Sequence, residues 1–102
     1  MNTNFLELTR DNLGYFLDTP KIVVIFTSPA CWSCKKILPK LKELSAKIPI
    51  VNVNALLFDK ALTFYPEEIK FYPTIAYYEN GDYIKTIENK TLWVEMAKLI
   101  KQ

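Results

Sequence analysis

The chain has 102 residues, half of them apolar and 14% aromatic. That is enough for one sizeable core and too little for a second, so residues 1–102 read as a single domain. Its 13 basic and 11 acidic residues leave a formal net charge of +2 without blocks of one sign, so nothing calls for nucleic acid or an anionic membrane.

The opening stretch, MNTNFLELTRDN, has neither a basic start nor an apolar core of about seven residues, so it lacks a secretory leader pattern. No segment approaches the ~18 apolar residues needed to cross a bilayer. Cytoplasmic residence is the expectation. Phe5 to Leu8 alternates as a short edge strand. Thr9 is expected to cap a helix with Asp11 in its first turn and Leu13, Phe16 and Leu17 on one face. Gly14 weakens that helix and Pro20 ends it. Ile22 to Phe26 is a short, β-branched apolar run, a buried strand. Thr27, Ser28 and Pro29 break it. Cys34, Ile37, Leu38, Leu41, Leu44 and Ile48 then recur at three and four, one face of a helix from about Cys34 to Lys47. Pro39 falls inside that helix and should kink it.

Ile50 to Asn54 is a second apolar strand, which makes strand–helix–strand a crossover with parallel strands. Phe58 to Tyr65 reads as a helix, and Tyr65-Pro66-Glu67-Glu68 as a helix start with proline at its first position. Thr74 to Tyr78 and Tyr83 to Ile87 are strands joined through Asn80-Gly81, the strongest short hairpin signal. Thr91 is expected to cap a last helix with Leu92, Trp93, Met96, Leu99 and Ile100 on one face. The order predicts an α/β fold, a central mixed sheet of four to five strands with helices on both faces.

The chemistry sits in Cys31-Trp32-Ser33-Cys34, where strand hands over to helix. The first turn of a helix offers unpartnered backbone N–H groups and the positive end of the macrodipole. Both favour a thiolate, and Lys35 and Lys36 add positive charge nearby, screened by salt. Cys31 is therefore expected to ionise readily and to attack a disulfide. Cys34, one turn on, can attack the mixed disulfide and release the product. A metal site is the competing use of such a pair. With no histidine and no third cysteine, one chain cannot supply a common zinc site's four ligands. A bridge across so small a loop is also a poor structural staple.

Ser33 either donates to a thiolate or caps the helix, and capping is the simpler role. Lys35, Lys36, Lys40, Lys42 and Lys47 read as a solvated helix face. Phe64, Tyr65, Phe71, Tyr72, Tyr77, Tyr78 and Tyr83 read as core on one side of the late strands and solvent-tolerant aromatics on the other.

Over nearly its whole length the chain resembles the thioredoxin family. The matching features are Cys-x-x-Cys after an apolar strand, Pro39 five residues past the second cysteine, Tyr72-Pro73-Thr74 opening a late strand, and the Asn80-Gly81 hairpin after it. The resemblance implies the thioredoxin fold and protein-disulfide reduction through a redox-active Cys31–Cys34 disulfide, with no cofactor and no metal. It also implies a cis bond at Pro73, packed against the cysteine pair. Tyr72 would then offer its backbone to an extended substrate, with Thr74 beside it.

The chain departs from the family pattern in three places. No acid occurs between Lys21 and Ala30, and Ile25 stands where thioredoxins bury one. Ile50 replaces the lysine that accompanies that acid. Losing both together is coherent, since either charge alone would be costly to bury. Resolution by Cys34 is then expected to be slower at neutral pH than in a thioredoxin with the acid. The aromatic before the first cysteine is Ala30, while Trp32 lies between the cysteines, expected to be exposed and available to substrate. Trp32-Ser33 also replaces the usual Gly-Pro.

The function expected is a monomeric cytosolic reductase of protein disulfides, recycled by a reductase. A glutaredoxin is the first alternative, but Gly14 and Gly81 are the only glycines and no glycine pair is present for glutathione. A binding module with incidental redox chemistry is the second. Twelve lysines to one arginine suggest an AT-rich genome such as a virus's, which makes ribonucleotide reductase a candidate partner.

Overall fold

A computed structural model describes residues 4–101; Met1 to Thr3, the start of the stretch read as leaderless, and Gln102 lie outside it. Strand β2 (Lys21–Thr27) forms the centre of the sheet, and its alternation shows why. Ile22, Val24 and Phe26 join one buried cluster, while Val23 and Ile25 join the other. A strand apolar on both faces must be covered on both. It pairs in parallel with β3 (Ile50–Asn54) and antiparallel with β4 (Thr74–Glu79). Outside these lie β1 (Phe5–Glu7), parallel to β3, and β5 (Asp82–Ile87), antiparallel to β4, giving the order β1-β3-β2-β4-β5. The mixed five-stranded sheet is the one expected.

On one face, Leu13 and Leu17 of the α1 region (α1, Gly14–Leu17) and Ala61 of a 3-10 helix (Asp59–Phe64) pack on the sheet. On the other, Leu41 of α2 (Trp32–Leu44) and Leu92, Met96 and Leu99 of α3 (Leu92–Lys101) do so. Asn80 and Gly81 turn the β4–β5 hairpin with φ of 52° and 86°, both in the left-handed region that this two-residue turn demands.

Several local expectations are corrected. Thr9 caps nothing: α1 is a single turn preceded by Leu13. Asp11 does not serve its own helix, because its carboxylate accepts from the backbone N–H groups of Lys60 (3.3 Å) and Ala61 (2.9 Å). The acid instead fastens the start of the 3-10 helix. No helix starts at Pro66. Tyr65 is extended (φ −88°, ψ 137°), as a residue before proline prefers, and its hydroxyl pairs with Thr86 Oγ1 at 2.6 Å.

Helix α2 starts two residues early, at Trp32, and stops at Leu44, with Pro39 inside it. Thr91 closes a 3-10 turn (Asn89–Thr91) ahead of α3. Trp93 leaves the apolar face and lies exposed, with Lys40 Nζ 5.5 Å from its ring centroid.

Tyr77 and Tyr78 are both buried, on opposite faces of β4. The Tyr78 hydroxyl donates to the Phe64 carbonyl, whereas that of Tyr77 has no partner within hydrogen-bond reach. Burial, and then the nearby Glu79 carboxylate, push the Tyr77 phenol up to about 12. Burial raises Tyr78 as well, helped by Tyr65 and Tyr83. Both groups favour the protonated folded state, so their contribution is complete below the ordinary phenol value of 10.0; that of Tyr77 disappears as pH rises through about 12, and that of Tyr78, raised further, only beyond it. Alkaline unfolding in that window is expected by circular dichroism, with part of the tyrosinate absorbance appearing only as structure is lost. Free ionisation of all six tyrosines near pH 10.0 in the folded protein would count against this.

Candidate active site

The edge of the sheet where β2 and β3 end and β4 begins gathers the residues singled out above. Cys31 follows β2 by four residues and is the N-cap of α2, extended at φ −86° and ψ 109°. Its Sγ accepts the backbone N–H of Cys34 at 3.1 Å, so the sulfur occupies the place a serine or aspartate oxygen takes at an ordinary N-cap. This corrects the role expected of Ser33, which stands exposed in the first turn while Cys31 does the capping. No acid lies in that turn, and Lys35 and Lys36 are exposed beyond it.

The two cysteines are joined as a disulfide. They differ sharply in access: Cys31 is partly exposed, whereas Cys34 is only 2% exposed and lies on the buried side of α2 with Leu41. Cys31 is thus the more open of the two residues. Trp32 projects from the same turn, 73% exposed, with Lys36 Nζ 5.7 Å from its ring centroid.

Opposite, the register sets Thr74 beside Phe26, which places the Tyr72–Pro73 bond just beyond the end of β2. That bond is cis, as the resemblance implied. Pro73 is buried and Tyr72 half-buried. Thr74 is buried too, and its hydroxyl donates to the Phe71 carbonyl at 2.8 Å, which ties down the loop entering the cis bond. A groove of about 400 Å³ opens beside Pro73, between residues 67–71 and 88–90. The second of these segments carried no sequence signal. Among the described residues, no three potential metal-ligating side chains form a group.

Ile25 and Ile50 are fully buried in the cluster beneath α2. On the same side of the sheet, one alternation nearer the cysteines, lies a polar chain that was not anticipated. Thr27 Oγ1 donates to Asn52 Oδ1 (2.8 Å), and Asn52 Nδ2 donates to Glu7 Oε2 (2.9 Å). Thr27 and Asn52 are buried, so the carboxylate of β1 satisfies groups at the foot of the active-site turn. The only available signal was an asparagine inside the apolar strand Ile50–Asn54.

Asn52→Ala is expected to cost about 1–3 kcal/mol, because it leaves the Thr27 hydroxyl buried without its best acceptor. The Val53 carbonyl at 3.3 Å offers a poorer substitute and pulls the loss toward the lower end. Urea denaturation of the oxidised protein checks this, and an unmoved midpoint contradicts it.

The thioredoxin family model matches residues 4–102. A protein disulfide-isomerase of Humicola insolens is 31% identical over 87 residues, 76% of this chain, which spans 15% of that longer protein. Among solved structures, Schistosoma mansoni thioredoxin superposes with a TM-score of 0.79 at 28% identity, covering 96% of this chain and 94% of that one. Malassezia sympodialis thioredoxin reaches 0.81 at 16% identity, over 97% and 93% of the two chains, a likeness of fold. A match across all the described residues, joined to a half-open Cys-x-x-Cys at the start of a helix and a cis proline at the same sheet edge, places this chain in the thioredoxin family.

Proposed function

We propose that this protein is a thiol–disulfide oxidoreductase that reduces disulfides in extended protein segments, with Cys31 attacking and Cys34 resolving. The family reaction uses the protein's own disulfide and no cofactor. The Cys31 thiolate attacks one sulfur of the substrate disulfide, whose S–S bond breaks, and the departing sulfur takes up a proton. Cys34 then loses its proton and attacks Cys31 Sγ; the mixed disulfide breaks and the second substrate thiol leaves. Two electrons and two protons pass from the dithiol to the substrate. A separate reductase is proposed to return the Cys31–Cys34 disulfide to the dithiol, with ribonucleotide reductase among the candidate substrates and the cytoplasm as the setting.

The observation that carries the assignment is the unequal access to the two sulfurs, set at a helix start whose N–H groups favour a thiolate at Cys31. Tyr72 supplies main-chain groups to a substrate strand in this reading, with Trp32 beside it and Thr74 holding the loop. Lys35 and Lys36 favour the thiolate through space. Insulin reduction separates the alternatives. Catalysis is expected with dithiothreitol or a thioredoxin reductase as electron donor. Turnover with glutathione as sole reductant would favour a glutaredoxin, and absence of catalysis with every donor would leave a binding module.

A further inference from the structure

We infer that the outer face of α2 is a docking surface for acidic protein substrates, whose carboxylates stand a few residues from the disulfide that Cys31 attacks. This rests on the reductase reading and adds the substrate class. Along the chain the two signs are mixed, but the fold does not spread them evenly. Between the cysteines and β3 the charged residues are Lys35, Lys36, Lys40, Lys42 and Lys47, with Glu43, and all six are exposed. The rest of the chain holds eight basic and ten acidic residues. The excess of positive charge therefore sits on one helix and the turn after it, and that helix begins at the nucleophile.

Among the described residues, none of the five lysines enters an ion pair; the pairs present join Glu95 to Lys85 and Lys98. Three of the five lie instead over aromatic rings. Lys36 Nζ is 5.7 Å from the centroid of Trp32, Lys40 Nζ 5.5 Å from that of Trp93 on α3, and Lys42 Nζ 5.4 Å from that of Phe5 on β1. A ring beneath the side chain restrains it before any partner arrives, so less freedom is lost when a carboxylate docks. Five cations without anionic partners, three of them held, make a field that an acidic surface complements.

Distance divides these lysines into two groups. At about 1.5 Å of rise per residue, Lys40 and Lys42 stand roughly 14 and 16 Å along the axis from Cys31, with Lys47 in the turn beyond. That exceeds the screening length of ~8 Å at physiological ionic strength, so these three act on the partner and not on the sulfur. Lys35 and Lys36 lie within it. An extended chain covers ~16 Å in about five residues, which sets where the partner's acids belong.

The groove beside Pro73 makes no such selection, since Glu67, Glu68 and Glu88 line it together with Lys70 and Lys90. A protein is favoured over other polyanions because the lysine face runs up to the sulfur that a protein disulfide must reach.

The test is single-turnover reduction by the pre-reduced protein at low ionic strength. Two peptide disulfides of one length are compared, with Glu or Lys placed about five residues from each cysteine. Neutral bis(2-hydroxyethyl) disulfide is the control. The acidic peptide is expected to react about tenfold faster than the basic one, the lower end of electrostatic steering. At about 1 M salt, where the screening length is ~3 Å, the ratio should fall to within about twofold. In Lys40→Glu/Lys42→Glu/Lys47→Glu the low-salt ratio should drop about fivefold, with the rate on the neutral disulfide unchanged. Lys40→Arg/Lys42→Arg/Lys47→Arg should keep the ratio, which separates charge from packing against Trp93 and Phe5.

Equal rates for the two peptides at low salt would overturn the proposal with the unmodified protein alone. So would a preference that survives high salt or the glutamate substitutions. Tight binding of oligothymidylate, lost in the glutamate variant, would give the face to nucleic acid and also overturn it. Failure to reduce even the neutral disulfide would remove the reductase reading itself, a result distinct from a loss of charge preference.

Discussion

Cys31→Ser is expected to bring disulfide reduction to the uncatalysed level, and Cys34→Ser to stop turnover while trapping a covalent adduct with the substrate. The asymmetry follows from access. Only Cys31 presents its sulfur to an incoming disulfide, so without it no exchange begins. Without Cys34 the first exchange proceeds and halts, because no second sulfur sits one turn along to displace the product. Losses on the order of 10³-fold or more are expected for either change, since a nucleophile has no partial substitute.

Insulin reduction measures turnover, and non-reducing mass analysis reads the adduct. Adduct formed by Cys31→Ser and not by Cys34→Ser would exchange the two roles, and full activity in both variants would end the dithiol mechanism. The same geometry predicts that Cys31 in the reduced protein is alkylated by iodoacetamide at a pH below that needed for an ordinary free thiol. Cys34, buried, should stay resistant under those conditions.

The parts of this molecule that were legible in the sequence are those whose partners lie close along the chain or whose pattern is periodic. The alternation of β2 and the two left-handed positions at Asn80 and Gly81 are dictated locally, and they appear as expected. Cys31 at a helix start is equally local. The single-turn α1 was not legible, because Asp11 is claimed by backbone groups of Lys60 and Ala61, far away in sequence. The helix start expected at Pro66 failed for the same reason: the chain there is held by Tyr78 reaching the Phe64 carbonyl and Tyr65 reaching Thr86. Leu56 and Leu57 carry no periodic signal at all. Nothing local marks two leucines after a strand as exposed, and only the turn built on Asn54 shows them left in solvent.

Ile25 and Ile50 give the second large expected effect. Both are fully buried in one cluster beneath α2, on neighbouring strands whose register pairs Val23 with Ile50 and Ile25 with Asn52. They are thus diagonal neighbours on one face of the sheet. Ile25→Asp alone is expected to cost about 3–5 kcal/mol at neutral pH, the scale of an uncompensated buried charge. Its carboxyl should be pushed up by burial. The protein then regains stability as pH falls toward the ordinary aspartate range, where the buried group is neutral.

Ile50→Lys alone should be comparably damaging, with the opposite pH trend. If the two positions form a charge-pair site that this chain has exchanged for apolar packing, Ile25→Asp/Ile50→Lys should be more stable than the sum of the single losses by about 1–3 kcal/mol. The double variant should also resolve its mixed disulfide faster at neutral pH than the unmodified protein, since a carboxylate then lies in the cluster beneath α2, the helix that carries Cys34. Simple additivity in urea denaturation would show that the two positions do not communicate. An unchanged resolution rate would show that Cys34 in this chain loses its proton by a route that owes nothing to the ground occupied by Ile25.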